Sequence, residues 1–574
     1  MSTMFATIAL AATVTAGAAD NSPTVSGELK QWHRVTITFA GPETAEKAEP
    51  NPFRDYRLAV TFFQWAEARV VPGYYAADGN AAESSAEQGG CWRVHFTPDR
   101  PGEWHYVVSM RTGPDIAASS DPKAGKPVAF DGAQGKFTVT AGDKSGRDHR
   151  AKGLLRYTGE HYLQFAATGE FFIKGGADSP ENFLAYAEFD GTRHAGQKKP
   201  RQGEALPEGL HRYEPHVRDW HAGDPTWQDG RGKGIIGALN YLASKGMNSV
   251  YFLTMNVGGD GKDVWPWIGP DTRDRFDCSK LDQWEIVFSQ MDKLGILLHV
   301  ITQETENDQL LDGGELGILR KLYYRELIAR FGHHPALVWN LGEENTNTDR
   351  QRAEFCRYIQ ALDAYRHPIV VHTYPGKYDE AYTPLLGHAN FHGPSLQMGN
   401  AKATHAETLK WVTRSADNGR KWIVCLDEIG PAHTGAKPDK DDPQHDDVRK
   451  HALWGNLMAG GAGVEWYFGY KFAHNDLNCE DWRSREILWD QTRHALEFFQ
   501  QYLPFTRMKA NDKLTTAPND YCFAKPGEVY AIYLPEGGTT ELRLEEGRYT
   551  VKWYDPRTGG PLQDGTASLA AGGT

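Results

Sequence analysis

Between residues 171 and 467 the chain repeats one pattern eight times: a short apolar run, a polar break, then a helical stripe. The runs cover 171–174, 249–253, 297–301, 336–340, 369–372, 389–392, 422–426 and 464–467. Short apolar runs bounded by turn residues read as strands buried on both faces, and strands that alternate with amphipathic helices make parallel sheets. Leu281, Trp284, Phe288, Met291 and Leu294 fall at three- and four-residue steps, as do Leu316, Leu319, Tyr323, Leu327 and Phe331, which end at Gly332. Eight such units favour a closed (β/α)8 TIM barrel over an open doubly wound sheet. The longest break, 186–227, is polar and rich in Gly, Pro and His, and is expected to crown the C-terminal face of the barrel.

Both flanks lack helical periodicity. Residues 24–142 alternate strand-like runs with turn dipeptides such as Pro72-Gly73 and Pro101-Gly102, the pattern of an antiparallel β-sandwich. After a helical stripe over 482–499, short strands return at 528–533, 540–544 and 549–554. The expected fold class is multidomain α/β and all-β: an N-terminal β-sandwich (24–142), a central (β/α)8 TIM barrel (143–505) and a C-terminal small β-sandwich (506–574). A length of 574 residues calls for several domains. The last of these reads as short of its final strands, as a truncated chain would. Residues 1–19 form an apolar stretch too short to span a bilayer, closed by Ala16-Gly17-Ala18. They read as a signal peptide without its basic start, which implies a secreted or periplasmic protein with no membrane span. A net charge of −13 argues against a nucleic-acid partner. The six cysteines are scattered without metal-type spacing, and pairing of Cys278 with Cys479 is left open.

The chemistry sits where two of the runs end. Run 336–340 is followed by Leu341-Gly342-Glu343-Glu344-Asn345, and run 422–426 by Asp427-Glu428. A carboxylate at the C-terminal end of a barrel strand lies at the mouth. These are the fourth and seventh strands of the count, which face each other across it. Two carboxyl groups about 5–5.5 Å apart cleave a glycosidic bond with retention of configuration. Glu428 is then the nucleophile and Glu344 the proton donor, its pKa raised by burial and by a neighbouring carboxylate. Glu343 competes with Glu344. Strand alternation lets only one of two neighbours face the bond, and Glu344 is favoured.

Trp339-Asn-Leu-Gly-Glu-Glu344 resembles the strand-four acid/base segment of clan A glycoside hydrolases. Cys425-Leu-Asp-Glu-Ile-Gly430 is similar to their nucleophile segment, and Val464-Glu-Trp-Tyr467 to the strand that lays an aromatic floor under the sugar. In that clan Asn usually precedes the acid/base residue. Glu343 stands there in this chain, so the resemblance leaves the contact to the sugar 2-hydroxyl to Asn345 or Asn340. Asn51–Tyr56, Val71–Asn80 and Trp92–Pro98 resemble the N-terminal β domain DUF5060, and Phe172–Phe183 and Asp481–Arg485 the barrel that accompanies it. Tyr530–Tyr533 and Trp553–Gly559 are similar to a C-terminal domain named for collagen binding. The resemblance implies a glycosidase-type barrel with no assured substrate.

Strand-end geometry supplies the remaining candidates for contact with a carbohydrate. Asp178, Glu181 and Asn182 follow the first run. His299 and residues 303–306 end the third, His372 and Tyr374 the fifth, and His388 and His392 bracket the sixth. Among 17 tryptophans, Trp265, Trp267 and Trp466, with Tyr467, are the candidate stacking platforms. Lys198, Lys199, Arg201, Arg212, His216 and Arg218 read as a solvated loop, with an acidic sugar as the alternative. Residues 476–481 lack the Gly and terminal Glu of a calcium loop. No P-loop, dinucleotide fingerprint, zinc motif or nucleophile elbow occurs, so neither metal nor cofactor is expected. The reading is an exported retaining glycoside hydrolase acting on a poly- or oligosaccharide. The alternatives are a glycan- or matrix-binding protein on a decayed barrel, or a polysaccharide lyase with a Tyr, His or Lys base. Sugar, linkage, endo or exo action and oligomeric state are not written in the sequence.

Overall fold

The computed structural model describes residues 23–196, 209–566 and 569–572. The expected leader over 1–19 and the basic residues Lys198, Lys199 and Arg201 lie outside them. Two antiparallel sheets open the chain. One pairs Val35–Ala45 with Gln88–Phe96, edged by Thr24–Gly27 and Tyr74–Tyr75. The other pairs Tyr56–Gln64 with Gly102–Thr112, edged by Glu67–Pro72, Lys126–Pro127 and Gln134–Val139. Alternation puts Leu58, Val60 and Phe62 on one inner face and Val35, Ile37, Val94 and Phe96 on the other. The Phe62 and Phe96 rings stack with centroids 4.1 Å apart.

Eight parallel strands then close into a barrel: Lys174–Ala177, Ser249–Leu253, Leu297–Ile301, Leu337–Asn340, Ile369–Thr373, Gly393–Met398, Cys425–Ile429 and Gly463–Trp466. Every residue of the eight is buried, which is why no strand but its neighbours can complete it. Helices surround it, among them Cys278–Leu294, capped by Asp277 accepting from the Lys280 N–H and ended by Gly295 at φ +69°. Another is Ile318–Phe331.

Three strands depart from the apolar runs. Residues 171–172 pair with Leu163–Phe165 in a hairpin, and the first strand begins only at Lys174. Residues 389–392 are a turn, and the sixth strand is Gly393-Pro-Ser-Leu-Gln-Met398. Glycine is required at its start, since a Cβ on Gly393 would sit 1.8 Å from the Ile423 carbonyl oxygen. The seventh strand starts at Cys425, so Asp427 and Glu428 lie inside it rather than past its end. In each case the apolar run caps the barrel's N-terminal end, and the strand carries the polar residues that follow.

Cys278 and Cys479 do not pair. All six cysteines are free thiols, and Cys278 Sγ lies 3.6 Å from the Tyr75 carbonyl oxygen against the first domain. The C-terminal region holds a three-stranded antiparallel sheet (Lys509–Ala510, Tyr521–Lys525, Val529–Tyr533) and a pair (Gly547–Thr550, Leu569–Gly572). The expected strand at 540–544 is reduced to one bridge from Leu542 to Thr515. Among the described residues no helix is long and apolar enough to cross a membrane.

Candidate active site at the barrel mouth

The chain leaves the fourth strand at Asn340 and turns at Gly342 (φ +150°) and Glu344 (φ +45°). A Cβ on Gly342 would sit 2.8 Å from Gln303 Cγ. The turn is clamped from both sides, by the Glu343 N–H donating to the Gln303 carbonyl (2.8 Å) and the Asn345 N–H to that of His372 (3.0 Å). Left-handed backbone on a non-glycine residue costs about 1–3 kcal/mol and persists only where its surroundings enforce it. Here it cancels strand alternation. Glu343 and Glu344 both turn inward, against the expectation that only one would.

They enter different surroundings. Glu344 is half-buried, and its Oε1 accepts from Gln397 Nε2 at 2.9 Å. Burial, then the charge of Glu428, raises the Glu344 pKa, with Gln397, His372 and Tyr374 opposing. Glu343 is buried against Glu181. Burial, followed by Glu428 for Glu343 and by Glu343 for Glu181, holds both carboxyls well above the usual range, so the pair keeps a proton. Asp178 and Glu304 are raised in the same way, first by burial and then by Asp476 and Glu343 respectively.

Glu428 reaches the mouth through a slip in register. Leu396 pairs with Leu426, but Gln397 pairs with Glu428, so Asp427 is an extra residue in the seventh strand. A bulge of this kind puts neighbours on one side. Asp427 turns down to Lys174, while Glu428 Oε2 lies 3.3 Å from His372 Nε2. The His372 Nδ1 in turn lies 3.2 Å from the Tyr251 hydroxyl. Beneath them the barrel interior is ionic. Lys174 Nζ binds Asp427 and, at 3.0 Å, Glu465, which also accepts from Ser249 and lies 2.7 Å from His299 Nδ1. Burial opposes the Glu465 charge, yet Lys174 and His299 outweigh it and hold this carboxyl down at about 2.

Several expected contacts are elsewhere. Trp265, Trp267 and Trp466 are packed in the core at 1%, 0% and 0% exposure, and the Trp466 indole N–H donates outward to Thr492. They are not sugar platforms. His392 precedes the sixth strand at the barrel's closed end, where its ring meets Tyr157 and its Nδ1 accepts from the Ile369 N–H. His299 belongs to the ionic layer, and Asn340 bonds to it at 3.2 Å. Asn345 spends its amide on Asn347 (2.8 Å) and Arg352 (2.9 Å), so it cannot replace the missing Asn. Asn182 donates to Asp263 and lies 2.9 Å from His211 Nε2. Tyr467 lies beside the seventh-strand loop, its hydroxyl donating to the Ala432 carbonyl. Asp178, Glu181, Glu343, Glu344, His372, Tyr374 and Glu428 share one mouth. Gln397 and Tyr251 escaped the sequence reading, the first because its strand was misplaced and the second because a Tyr inside an apolar run reads as core.

Residues 28–111 match a domain of unknown function, DUF5060. No curated protein matches the sequence. Among solved structures, a provisionally described glycoside hydrolase from Bacteroides vulgatus ATCC 8482 is 15% identical with TM-score 0.55, over 92% of this chain and 86% of that one. A family 5 glycoside hydrolase from the same organism is 12% identical with TM-score 0.50, over 75% and 90%. A further glycoside hydrolase is 13% identical with TM-score 0.50, over 75% and 94%. At such identities the likeness is one of fold: this chain builds its candidate site on a barrel of the shape those proteins have.

Proposed function

We propose that the protein is an exported glycoside hydrolase that cleaves a poly- or oligosaccharide with retention of configuration. The observation that carries this reading is the pair Glu344 and Glu428, delivered to one mouth from the fourth and seventh strands, with the charge of Glu428 helping Glu344 keep its proton. Glu428 attacks the anomeric carbon, the C1–O bond breaks, and Glu344 gives its proton to the leaving oxygen. Glu344, now a carboxylate, takes a proton from water as the water oxygen attacks C1 and frees Glu428. His372, 3.3 Å from Glu428, orients the nucleophile. Glu343 stands where clan A usually has Asn. Because the Glu181–Glu343 pair retains a proton, it offers an O–H donor where Asn would offer N–H. The fold likeness to glycoside hydrolases supports the reading without fixing a substrate.

Against the lyase alternative, the Tyr374 hydroxyl is pushed up to about 12 by burial, the wrong direction for a base. A broad glycan screen that includes uronic-acid polymers, with anomeric NMR on every hit, tests the proposal, and inverted product or an unsaturated uronic acid would refute it.

Gln397 gives a pH test. Activity requires Glu344 protonated, so the rate falls as pH rises through its pKa. Gln397 stabilises the carboxylate and lowers that pKa. Gln397→Leu is therefore expected to move the alkaline limb of kcat/KM to higher pH and leave the acid limb in place. An alkaline limb that stays put or moves down would remove Gln397 from this role.

A further inference from the structure

At the closed end of the barrel, opposite the mouth, two adjacent histidines separate the helix Ile318–Phe331 from the fourth strand. His333 and His334 are both buried, and their ring centroids lie 4.2 Å apart. Each Nδ1 is engaged by an oxygen. That of His333 is 2.9 Å from the Arg330 carbonyl, and that of His334 is 2.6 Å from Asp292 Oδ2. Both Nε2 atoms consequently turn the same way, onto Glu285 of the helix Cys278–Leu294, at 3.3 Å from Oε1 and 3.1 Å from Oε2. The three ligand atoms lie within 4.8 Å of one another.

We propose that Glu285, His333 and His334 form a binding site for a divalent transition metal of the zinc type. Zn–N bonds of about 2.0–2.1 Å and a Zn–O bond of about 2.0–2.2 Å at tetrahedral angles space their ligand atoms about 3.3–3.5 Å apart. Each Nε2 lies near that edge from one Glu285 oxygen, His334 at 3.1 Å from Oε2 and His333 at 3.3 Å from Oε1, both longer than the charge-assisted 2.6 Å between His334 and Asp292. A His whose Nδ1–H is held by a carboxylate or a carbonyl is how proteins aim Nε2 at a metal. Asp292 and the Arg330 carbonyl are those orienting groups. Arg34 and Ser289 both donate to Glu285 Oε1, holding the carboxylate in place. Arg34 precedes the sandwich strand Val35–Ala45 and is 40% exposed, so the metal enters from that side with water as its fourth ligand. The Thr97 hydroxyl donates to the His333 carbonyl at 2.6 Å, and the His95 ring packs on His333 at 4.8 Å. The site therefore lies beside the seam between sandwich and barrel, and its role is to tie the helix Cys278–Leu294 to the chain entering the fourth strand rather than to catalyse. Two adjacent histidines and a Glu 48 residues earlier (333 − 285) fit no ligand spacing, which is why the sequence hid it.

The full chain, freed of metal by dialysis against chelator, is titrated with Co2+ and with Zn2+. One Co2+ per chain with the visible absorption of a four-coordinate site is expected, and Zn2+ raises Tm. Asp292→Asn should weaken binding about 10–100-fold, and Glu285→Gln and His333→Gln should abolish it with circular dichroism unchanged. A wild-type chain with no Co2+ absorption and no Tm response overturns the proposal outright. So does binding that survives both ligand substitutions.

Discussion

Glu428→Gln is expected to lower kcat by roughly 10⁴- to 10⁶-fold while glycan affinity persists, because it removes the atom that forms the covalent intermediate and little else. Gln keeps the size of Glu and an oxygen facing His372, so the mouth stays assembled. Glu344→Gln should behave differently. Loss of a general acid costs on the order of 10²–10⁴-fold, and the loss should shrink for aryl glycosides whose leaving group departs without a proton. The two variants measured side by side on activated and natural glycosides assign the roles. If the leaving-group dependence appears in Glu343→Gln instead, the proton donor is Glu343. If neither Glu428→Gln nor Glu344→Gln reduces turnover, the proposed chemistry is wrong, and a wild-type chain that binds glycans without turnover would be the binding protein of the alternative reading.

The second large effect lies beneath the site. Lys174→Met is expected to destabilise the barrel by about 3–5 kcal/mol, because it strands Asp427 as a buried charge without its counter-ion and leaves Glu465 with His299 alone. Burial opposes the Lys174 charge, but Asp427 and Glu465 outweigh that, and the ammonium is held above its ordinary range. The loss should therefore be present at neutral pH. Glu465 has its pKa depressed to about 2, so its share of the network's stability is complete above the unfolded value near 4.3 and fades as pH falls toward 2. Denaturant unfolding at neutral pH measures it. A Lys174→Met chain within 1 kcal/mol of wild type would mean that the ion layer does not support the bulge that turns Glu428 upward.

Much of this was legible before the fold was seen. Strand order and strand count came from the spacing of apolar runs, since burial on both faces requires continuous hydrophobic stretches. The strand ends were less legible. At the first, sixth and seventh strands the most apolar residues line the closed end of the barrel, and the strand proper carries Lys174, Gln397, Asp427 and Glu428. Hydrophobicity marks what is buried, and both the plug and the strand are buried. Tryptophan misled for the same reason: Trp265, Trp267 and Trp466 are large enough to read as platforms and are spent on packing.

The sequence by itself determined the eight-fold β/α architecture, the sandwich before it and the two carboxylate-bearing segments, because periodicity is a local property of the chain. Tertiary structure alone decided how those carboxylates point. The left-handed turn at Glu344 is enforced by hydrogen bonds from the third and fifth strands, and the bulge at Asp427 depends on Lys174, some 250 residues away (427 − 174 = 253). How far each of the two neighbouring carboxyls is raised depends on burial and on charges from distant strands, and no window of sequence contains them.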